Sequence, residues 1–414
     1  MKKILILILF LFNISLQYIF QLKSSKRITN ISEIIQNSTY LQKLNITLPI
    51  LNTCFGNPNQ CFDMTLDTTH YNTFLQGDSN SFFEKSFNKS LSNTLKDINE
   101  TFSFNYQEKN LESKIYLDNI KIEQFNSTNK LAFTLFEDKD ESIRKIEIDG
   151  IIGLIRNSSS IKTTNNYTLS FIDFISKNSN FSIQINKNAQ NELEGKLLIN
   201  ENYIDSYSKC NSSNLENNDN EWKCKINSIQ FENNYPISFS YDISFQTNNP
   251  IFEFPKDIGI YMFRRIIEQS FGQCGMIDQN NITLLFCNNT IDVSKFNKIY
   301  FHFNDESIPI LINPTNIFEK IEKIYLCKII VSDIDHIIFG LPSFIDNKII
   351  FDKSKNQILF LENKVTYFAF TLTIIIIAFT LIAIPFIIFI FEKNKKEKSF
   401  HKLDDIGKTK QFLG

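Results

Sequence analysis

The chain has 414 residues, a hydrophobic fraction of 43% and a formal net charge of -2 at pH 7. This length allows two packed domains, and the nearly balanced charge argues against a nucleic-acid partner, which would need a basic surface. Asn, Ile, Lys and Phe are used heavily while Gly and Pro are sparse, so a single Asn or Lys carries little information by itself.

The chain begins with a segment typical of a secretory signal peptide. Lys2 and Lys3 precede an apolar run that is interrupted by polar residues from Asn13 onward, which is the layout of such a leader. We assign residues 1–20 to the signal peptide. No small-x-small cleavage site is visible, so the cut is predicted only within residues 17–22. A retained signal anchor is the alternative.

The middle of the chain, residues 40–364, is predicted to be all-β. Apolar residues alternate or run for strand lengths in ITLPIL, FDMTL, FSFNY, IYLDNIKI, FSIQI, KCKINSIQF, IYFHF and IIFDKSKNQILFL. Only two helices are predicted, DIGIYMFRRIIEQSF after Pro255 and FIDFISKN. This pattern indicates a sandwich, a barrel or a bilobal set of β domains, with the Asn-rich residues 211–220 as a loop near a lobe boundary.

The end of the chain is predicted to cross a membrane once. Residues 365–391 contain no charge, and a helix of that length rises about 40 Å, enough to cross a hydrocarbon core of about 30 Å with tilt. Four lysines follow between residues 393 and 398. Since positive flanks stay on the cytoplasmic side, residues 392–414 are predicted to form a cytoplasmic tail. The protein is then a single-pass type I membrane protein with its main domain in the secretory lumen or outside the cell.

All seven cysteines lie between the two apolar segments, where oxidation is permitted, and they lack the C-x-x-C spacing of zinc or redox sites. They predict three disulfides formed by six of the cysteines, with one cysteine left unpaired. The spacing alone does not fix which cysteines pair. About a dozen N-x-S/T sequons add mild support for a glycoprotein. The cysteines are Cys54, Cys61, Cys210, Cys224, Cys274, Cys287 and Cys327.

Several stretches, in collinear order, resemble the motifs of pepsin-like aspartic peptidases. Residues 55–60, FGNPNQ, are similar to I-G-T-P-P-Q, and residues 66–69, LDTT, stand at the spacing of the first catalytic D-T-G-S. Further matches are FNKSLSNT at 87–94, FSFNY ending on Tyr106, DGIIGL at 149–154, EGKLLI at 194–199, Trp222 with KINSIQF, and residues 337–360.

The resemblance implies two β lobes, which we place at residues 40–205 and 206–364, with a substrate cleft between them and a hairpin flap above it. It also implies a disulfide between Cys287 and Cys327, one between Cys54 and Cys61 across the turn FGNPNQ, and one between Cys210 and Cys224. Cys274 is then the unpaired thiol.

The second catalytic aspartate of the family is missing. Counting back nine residues from Pro255 reaches Gln246 in ISFQTNNP, where the resemblance places the second D-T-G-T. Glutamine is isosteric with glutamate but does not exchange a proton, whereas the family's mechanism needs two carboxylates that share one proton. Thr69 and Asn248 replace the two motif glycines. An insertion that brings Asp242 to the catalytic position is the alternative register.

We therefore predict Asp67 as the one retained catalytic aspartate and Tyr106, Thr68 and Thr247 as residues that contact a substrate or ligand. The four histidines, His70 among them, are scattered and show no metal-ligand spacing, so no metal or cofactor is predicted. The favoured function is a degenerate peptidase-like domain that binds an extended peptide or protein without cleaving it. The alternatives are an active aspartic endopeptidase working at acidic pH with an atypical dyad, and a structural or adhesion ectodomain.

Overall fold

The computed structural model divides the chain into two compact units, residues 1–362 and residues 363–414. The predicted transmembrane helix and tail belong to the second unit and lie outside the described residues, as does most of the predicted signal peptide. Within the described part of the chain, no helix has the length and apolarity needed to cross a membrane. The described ranges are 17–26, 38, 40–70, 72–77, 84–106, 109–136, 148–155, 167, 169–177, 179–188, 190, 192–201, 203, 208–211, 221–303 and 309–361.

Strands dominate the described residues, as the period-two pattern predicted. The first half contains β1 (Tyr18–Ser24), β2 (Pro49–Phe55), β3 (Gln60–Asp67), β4 (Phe74–Gln76), β5 (Lys96–Tyr106), β6 (Lys109–Ile122), β7 (Phe125–Phe136), β8 (Gly150–Gly153), β9 (Asn180–Lys187), β10 (Leu193–Ile199) and β11 (Ser208–Asn211). The second half contains β12 (Lys223–Phe231), β13 (Ile237–Phe245), β14 (Phe252–Pro255), β15 (Cys274–Gln279), β16 (Ile282–Asn288), β17 (Ile299–His302), β18 (Ile310–Ile312), β19 (Phe318–Ile321), β20 (Ile324–Ser332), β21 (Ile337–Phe339), β22 (Lys348–Asp352) and β23 (Gln357–Leu361).

Both predicted helices are present. They are α1 (Phe171–Ile175) and α2 (Lys256–Gln269), and a third short helix is α3 (Pro314–Ile317). Helix α2 starts directly after Pro255 and carries Asp257 in its first turn, where a negative charge is favoured. Its buried residues Ile258, Met262 and Ile266 recur every four positions, so one apolar stripe packs against the sheet.

The strands form two sheets, which confirms the all-β, bilobal prediction. One sheet has 13 strands in the order β11-β23-β22-β9-β10-β1-β2-β3-β8-β4-β7-β6-β5. The other has 10 strands in the order β15-β16-β20-β14-β21-β13-β12-β17-β18, with β19 paired to β20. The large sheet joins the two halves of the sequence, because β22 pairs with β9 and β23 pairs with β11.

An internal repeat relates the centres of the two sheets. In the first, β3 runs parallel to β8, and β4 lies antiparallel to β8 and parallel to β7. In the second, β13 runs parallel to β21, and β14 lies antiparallel to β21 and parallel to β20. The loop after β3 therefore has a structural counterpart in the loop after β13. Asp67 is the last residue of β3, and Gln246 is the first residue after β13.

Aromatic side chains fill the core where the two halves meet. Trp222 is completely buried, packs against Phe181 and Phe351, and donates its indole N–H to the carbonyl of Leu154 at 2.8 Å. A buried indole N–H needs a hydrogen-bond acceptor. Trp222, which belongs to one of the motifs that resemble the family, thus ties the second lobe to the strand end beside Asp67.

Strand β1 was not predicted, because residues 18–20 were assigned to the signal peptide. It lies inside the large sheet, where Tyr18–Leu22 pair with β10 and Lys23 and Ser24 pair with β2. Its side chains alternate, with Phe20 and Leu22 buried. Cleavage of the predicted signal peptide just before Tyr18, at the start of the range predicted for the cleavage site, would leave this strand whole.

Two predicted disulfides are confirmed and one is wrong. Cys54 bonds to Cys61 and Cys210 bonds to Cys224, as predicted. The predicted Cys287–Cys327 pair does not form. Instead Cys274 bonds to Cys287, and Cys327 is a free, buried thiol.

Strand register explains the correction. Cys274 and Cys287 are direct partners in the β15–β16 hairpin, whereas across β20 the partner of Cys287 is Tyr325. Cys327 stands opposite Phe318 of β19. Burial raises the pKa of the Cys327 thiol to about 12, which keeps it protonated and unreactive.

Replacing Cys274 with serine is expected to lower the free energy of unfolding by about 3 kcal/mol, the stabilisation typical of a disulfide that closes a loop of this size. Replacing Cys327 with alanine, which removes only one buried sulfur atom, is expected to cost about 1 kcal/mol. Urea unfolding of the two variants measures the difference. A peptide map without reduction that joins Cys287 to Cys327 would contradict the pairing.

Candidate active site

The two loops that follow β3 and β13 are in direct contact. Thr68 donates its hydroxyl to the carbonyl of Phe245 at 2.6 Å, and Thr247 donates its hydroxyl to the carbonyl of Leu66 at 2.8 Å. Each threonine also donates its backbone N–H to the other's hydroxyl oxygen, at 3.3 Å and 3.2 Å. The four bonds form a symmetric bridge between the loops.

The role predicted for Thr68 and Thr247 is therefore corrected. Both are completely buried, and both hydroxyls are used within the bridge, so neither side chain presents a surface to a ligand. A buried hydroxyl without a partner costs about 1 to 3 kcal/mol, which explains why each threonine is held by a carbonyl of the opposite loop. These residues fix the position of the site rather than contact a substrate.

The bridge also fixes the register of the second motif. It relates Thr68 to Thr247, which makes Gln246 the counterpart of Asp67. Two glycines repeat the same relation: a side chain at Gly153 would meet the carbonyls of His70 and Asn72, and one at Gly340 would meet the carbonyls of Asn249 and Ile251. The alternative register fails, because Asp242 is an exposed residue within β13 and stands opposite Lys225.

Asp67 is completely buried, and four donors converge on its carboxylate. Oδ1 accepts the backbone N–H of Thr69 at 2.7 Å and the Thr69 hydroxyl at 2.6 Å. Oδ2 accepts His70 Nδ1 at 2.5 Å and the side-chain amide of Asn248 at 2.7 Å. A carboxylate offers about four lone-pair sites, so each oxygen of Asp67 already has two donors.

These contacts favour the ionised carboxylate. Burial by itself raises the pKa of Asp67, but the charge and hydrogen bond of His70, together with the two bonds from Thr69, lower the pKa below its usual value. The His70 side chain is 14% exposed, so the Asp67–His70 ion pair is largely shielded from water. The site thus contains a stable carboxylate rather than a carboxyl group ready to exchange its proton.

Within the described part of the chain, Gln246 makes no hydrogen bond to Asp67. Its backbone N–H donates to the carbonyl of Phe339 at 2.9 Å, and its side-chain Nε2 lies 3.4 Å from the hydroxyl of Ser244. The residue is half-buried. Among the residues that the structure describes, no second carboxyl group bonds to Asp67, and the place of the second aspartate holds a neutral amide.

The local sequence pattern did not indicate the roles of His70 and Asn248 at Asp67. His70 was grouped with the scattered histidines, although its position three residues after Asp67 on a tight loop was a usable signal. Asn248 was recognised as a substitute for a motif glycine, but its bond to the opposite lobe depends on how the two loops meet, which no local pattern contains. Tyr106 ends β5, opposite Lys109, and its side chain lies outside the described residues.

Comparison with known protein families gives a match. The family model described as eukaryotic aspartyl protease matches residues 51–362, about three quarters of the chain. No curated protein matches the chain. The matched range contains both loops of the site, all three disulfides and every strand from β3 to β23, while β1 precedes it.

Proposed function

We propose that this chain, which belongs to the eukaryotic aspartyl protease family, binds extended peptide segments in its cleft without hydrolysing them. The observation that carries the proposal is the state of Asp67, whose carboxylate receives four donors while Gln246 stands in the position of its partner. Catalysis by two carboxylates needs one acid and one base that share a proton and a water. Here the oxygens of Asp67 already accept four hydrogen bonds, and the side chain of Gln246 does not titrate.

Loss of one member of such a pair removes nearly the whole effect, because groups that act as a unit are not additive. Adding a carboxyl group at position 246 alone would not restore the reaction, since Thr69, His70 and Asn248 would still occupy the oxygens of Asp67. The two motif glycines of the family leave that space open, whereas Thr69 and Asn248 fill it with side chains that bond to the carboxylate.

Peptide binding needs none of this chemistry. An extended peptide is held mainly by main-chain hydrogen bonds, and pockets for alternate side chains provide its specificity. Gln246 suits such a ligand, because a half-buried amide offers both a donor and an acceptor to a peptide group. The hydrogen bond of its Nε2 to Ser244 is long at 3.4 Å, so little is lost when the amide turns to a ligand.

The proposal includes anchoring of the protein in a membrane. The three disulfides favour the secretory lumen or the cell exterior, and residues 365–391 with the lysines that follow them supply a single span of type I orientation. Peptides or unfolded segments of luminal or extracellular proteins are the ligand class.

Purified protein incubated with a peptide library from about pH 3 to about pH 7 is expected to bind peptides and release them uncut. Replacing Gln246 with alanine is expected to weaken binding by about fivefold, which corresponds to one hydrogen bond of about 1 kcal/mol. Fluorescence anisotropy measures affinity, and mass spectrometry of the released peptides detects cleavage. Cleavage that a statine-type inhibitor blocks would show an active peptidase instead.

A further inference from the structure

Strand β5 forms one end of the 13-stranded sheet. In the described part of the chain it pairs with β6 and with no other strand. An open edge presents unpaired N–H and C=O groups that can pair with a strand of another molecule, so soluble proteins cover or interrupt such edges. The edge at β5 is interrupted between Asp97 and Thr101, where the register to β6 shifts.

Asn99 lies at the crest of this bulge. Its φ of 55° is in the left-handed region, which asparagine tolerates better than most residues, and its backbone N–H donates to Asp97 Oδ1 at 2.8 Å. Ile98 packs inward against a small cluster that includes Ile115 and Leu117. Asn99 and Thr101 are both exposed, so the bulge turns these two side chains away from the core together.

Residues 99–101 read Asn-Glu-Thr, a sequon for N-linked glycosylation. We propose that Asn99 carries an N-linked glycan that covers the open edge of the large sheet. The inference rests on the luminal location proposed above. The donor is an oligosaccharide linked to a lipid pyrophosphate: the Asn99 amide nitrogen loses a proton and bonds to the first sugar carbon, and the lipid pyrophosphate leaves with the electron pair of the broken C–O bond.

Two other sequons provide a contrast with Asn99. Asn180 belongs to Asn-Phe-Ser, but its amide donates to the carbonyl of Glu201 at 2.9 Å and accepts the N–H of Glu201 at 2.8 Å. Ser182 of that sequon is buried, so a glycan at Asn180 is incompatible with the fold. Asn126 is exposed and pairs with Lys121 of β6, but its strand, β7, is not the end strand of the sheet. It is therefore an acceptor that does not lie on the edge strand β5.

The first test maps the glycans of the full chain made in a secretory host. Peptide N-glycosidase F in heavy-oxygen water converts each glycosylated asparagine to labelled aspartate, and mass spectrometry locates the label. We expect label at Asn99 and none at Asn180. A map with label at other sequons but not at Asn99 overturns the inference while leaving the luminal location intact. A map without any label overturns both, and neither result bears on peptide binding.

The second test measures the role of the glycan. Asn99→Asp keeps a residue that tolerates the left-handed backbone but removes the acceptor, and Asn126→Asp is the matched control. On size-exclusion chromatography with light scattering, Asn99→Asp is expected to form larger species than the parent as its concentration rises, and Asn126→Asp is expected to behave like the parent. Equal behaviour of the two variants would overturn the edge-covering role.

Discussion

Replacing Asp67 with alanine is expected to lower the free energy of unfolding by about 3 to 5 kcal/mol, the usual cost of removing one partner of a buried ion pair. The substitution leaves the N–H and hydroxyl of Thr69, the imidazole of His70 and the amide of Asn248 without their common acceptor. In a peptidase whose aspartate serves catalysis alone, the same change would remove activity and leave stability nearly intact.

Chemical unfolding of the variant and the parent at several pH values tests this expectation. The pKa of Asp67 is lowered in the folded state, so its contribution is fully present above the unfolded pKa of about 3.9 and is lost as the pH falls through the lower folded value. The difference between the two proteins should therefore shrink below about pH 4. Asp242→Ala, on the exposed face of β13, is the control and should cost less than about 0.5 kcal/mol. An Asp67→Ala protein as stable as the control would show that the network does not stabilise the fold.

Local patterns predicted the elements of the fold well, because each strand and helix carries its own periodicity. Helix α2 starts where Pro255 indicated, and the hairpin of β22 and β23 follows the alternation of residues 348–361. Strand β1 was missed for a physical reason: its residues follow directly on the apolar N-terminal run, and nothing in the local pattern distinguishes the end of a predicted signal peptide from a strand inside a sheet. Only its pairing with β10 and β2 reveals it.

For the site, too, local spacing predicted some features and not others. Counting along the chain from Pro255 was enough to place Gln246 opposite Asp67, since the spacing between strand end and helix is a local quantity. The contacts of Asp67 were not predictable, because Asn248 lies 181 residues away and reaches it across the two lobes. The predicted Cys287–Cys327 disulfide was wrong for a related reason, since pairing also depends on contacts between strands. Cys287 stands directly opposite Cys274 in the β15–β16 pair, whereas in the β16–β20 pair its partner is Tyr325, two residues from Cys327.

Replacing Gly340 with alanine is expected to destabilise the protein by about 4 kcal/mol, near the upper end for a single substitution. A Cβ atom at this position would lie 1.9 Å from the carbonyl oxygen of Ile251 and 2.5 Å from that of Asn249. Both neighbours are backbone atoms, so relief requires the loop after Gln246 to move. The backbone N–H of Leu341 donates to the carbonyl of Asn249 at 2.6 Å, and movement of the loop would also break that bond.

The consequence extends to the site, because the same loop carries Asn248 and Thr247. Gly340→Ala should therefore weaken the bridge between the two threonines, and a Gly340→Ala, Thr247→Val double variant should lose less than the sum of the single losses. Gly272→Ala is the matched control: Gly272 has a φ of +79° with no atom within 4 Å of a new Cβ, so only the left-handed backbone penalty of about 1 kcal/mol applies. Thermal and urea unfolding of the variants measures these losses. If Gly340→Ala cost no more than Gly272→Ala, the loop would be free to move, and the shared geometry of the two loops would not hold Gln246 opposite Asp67.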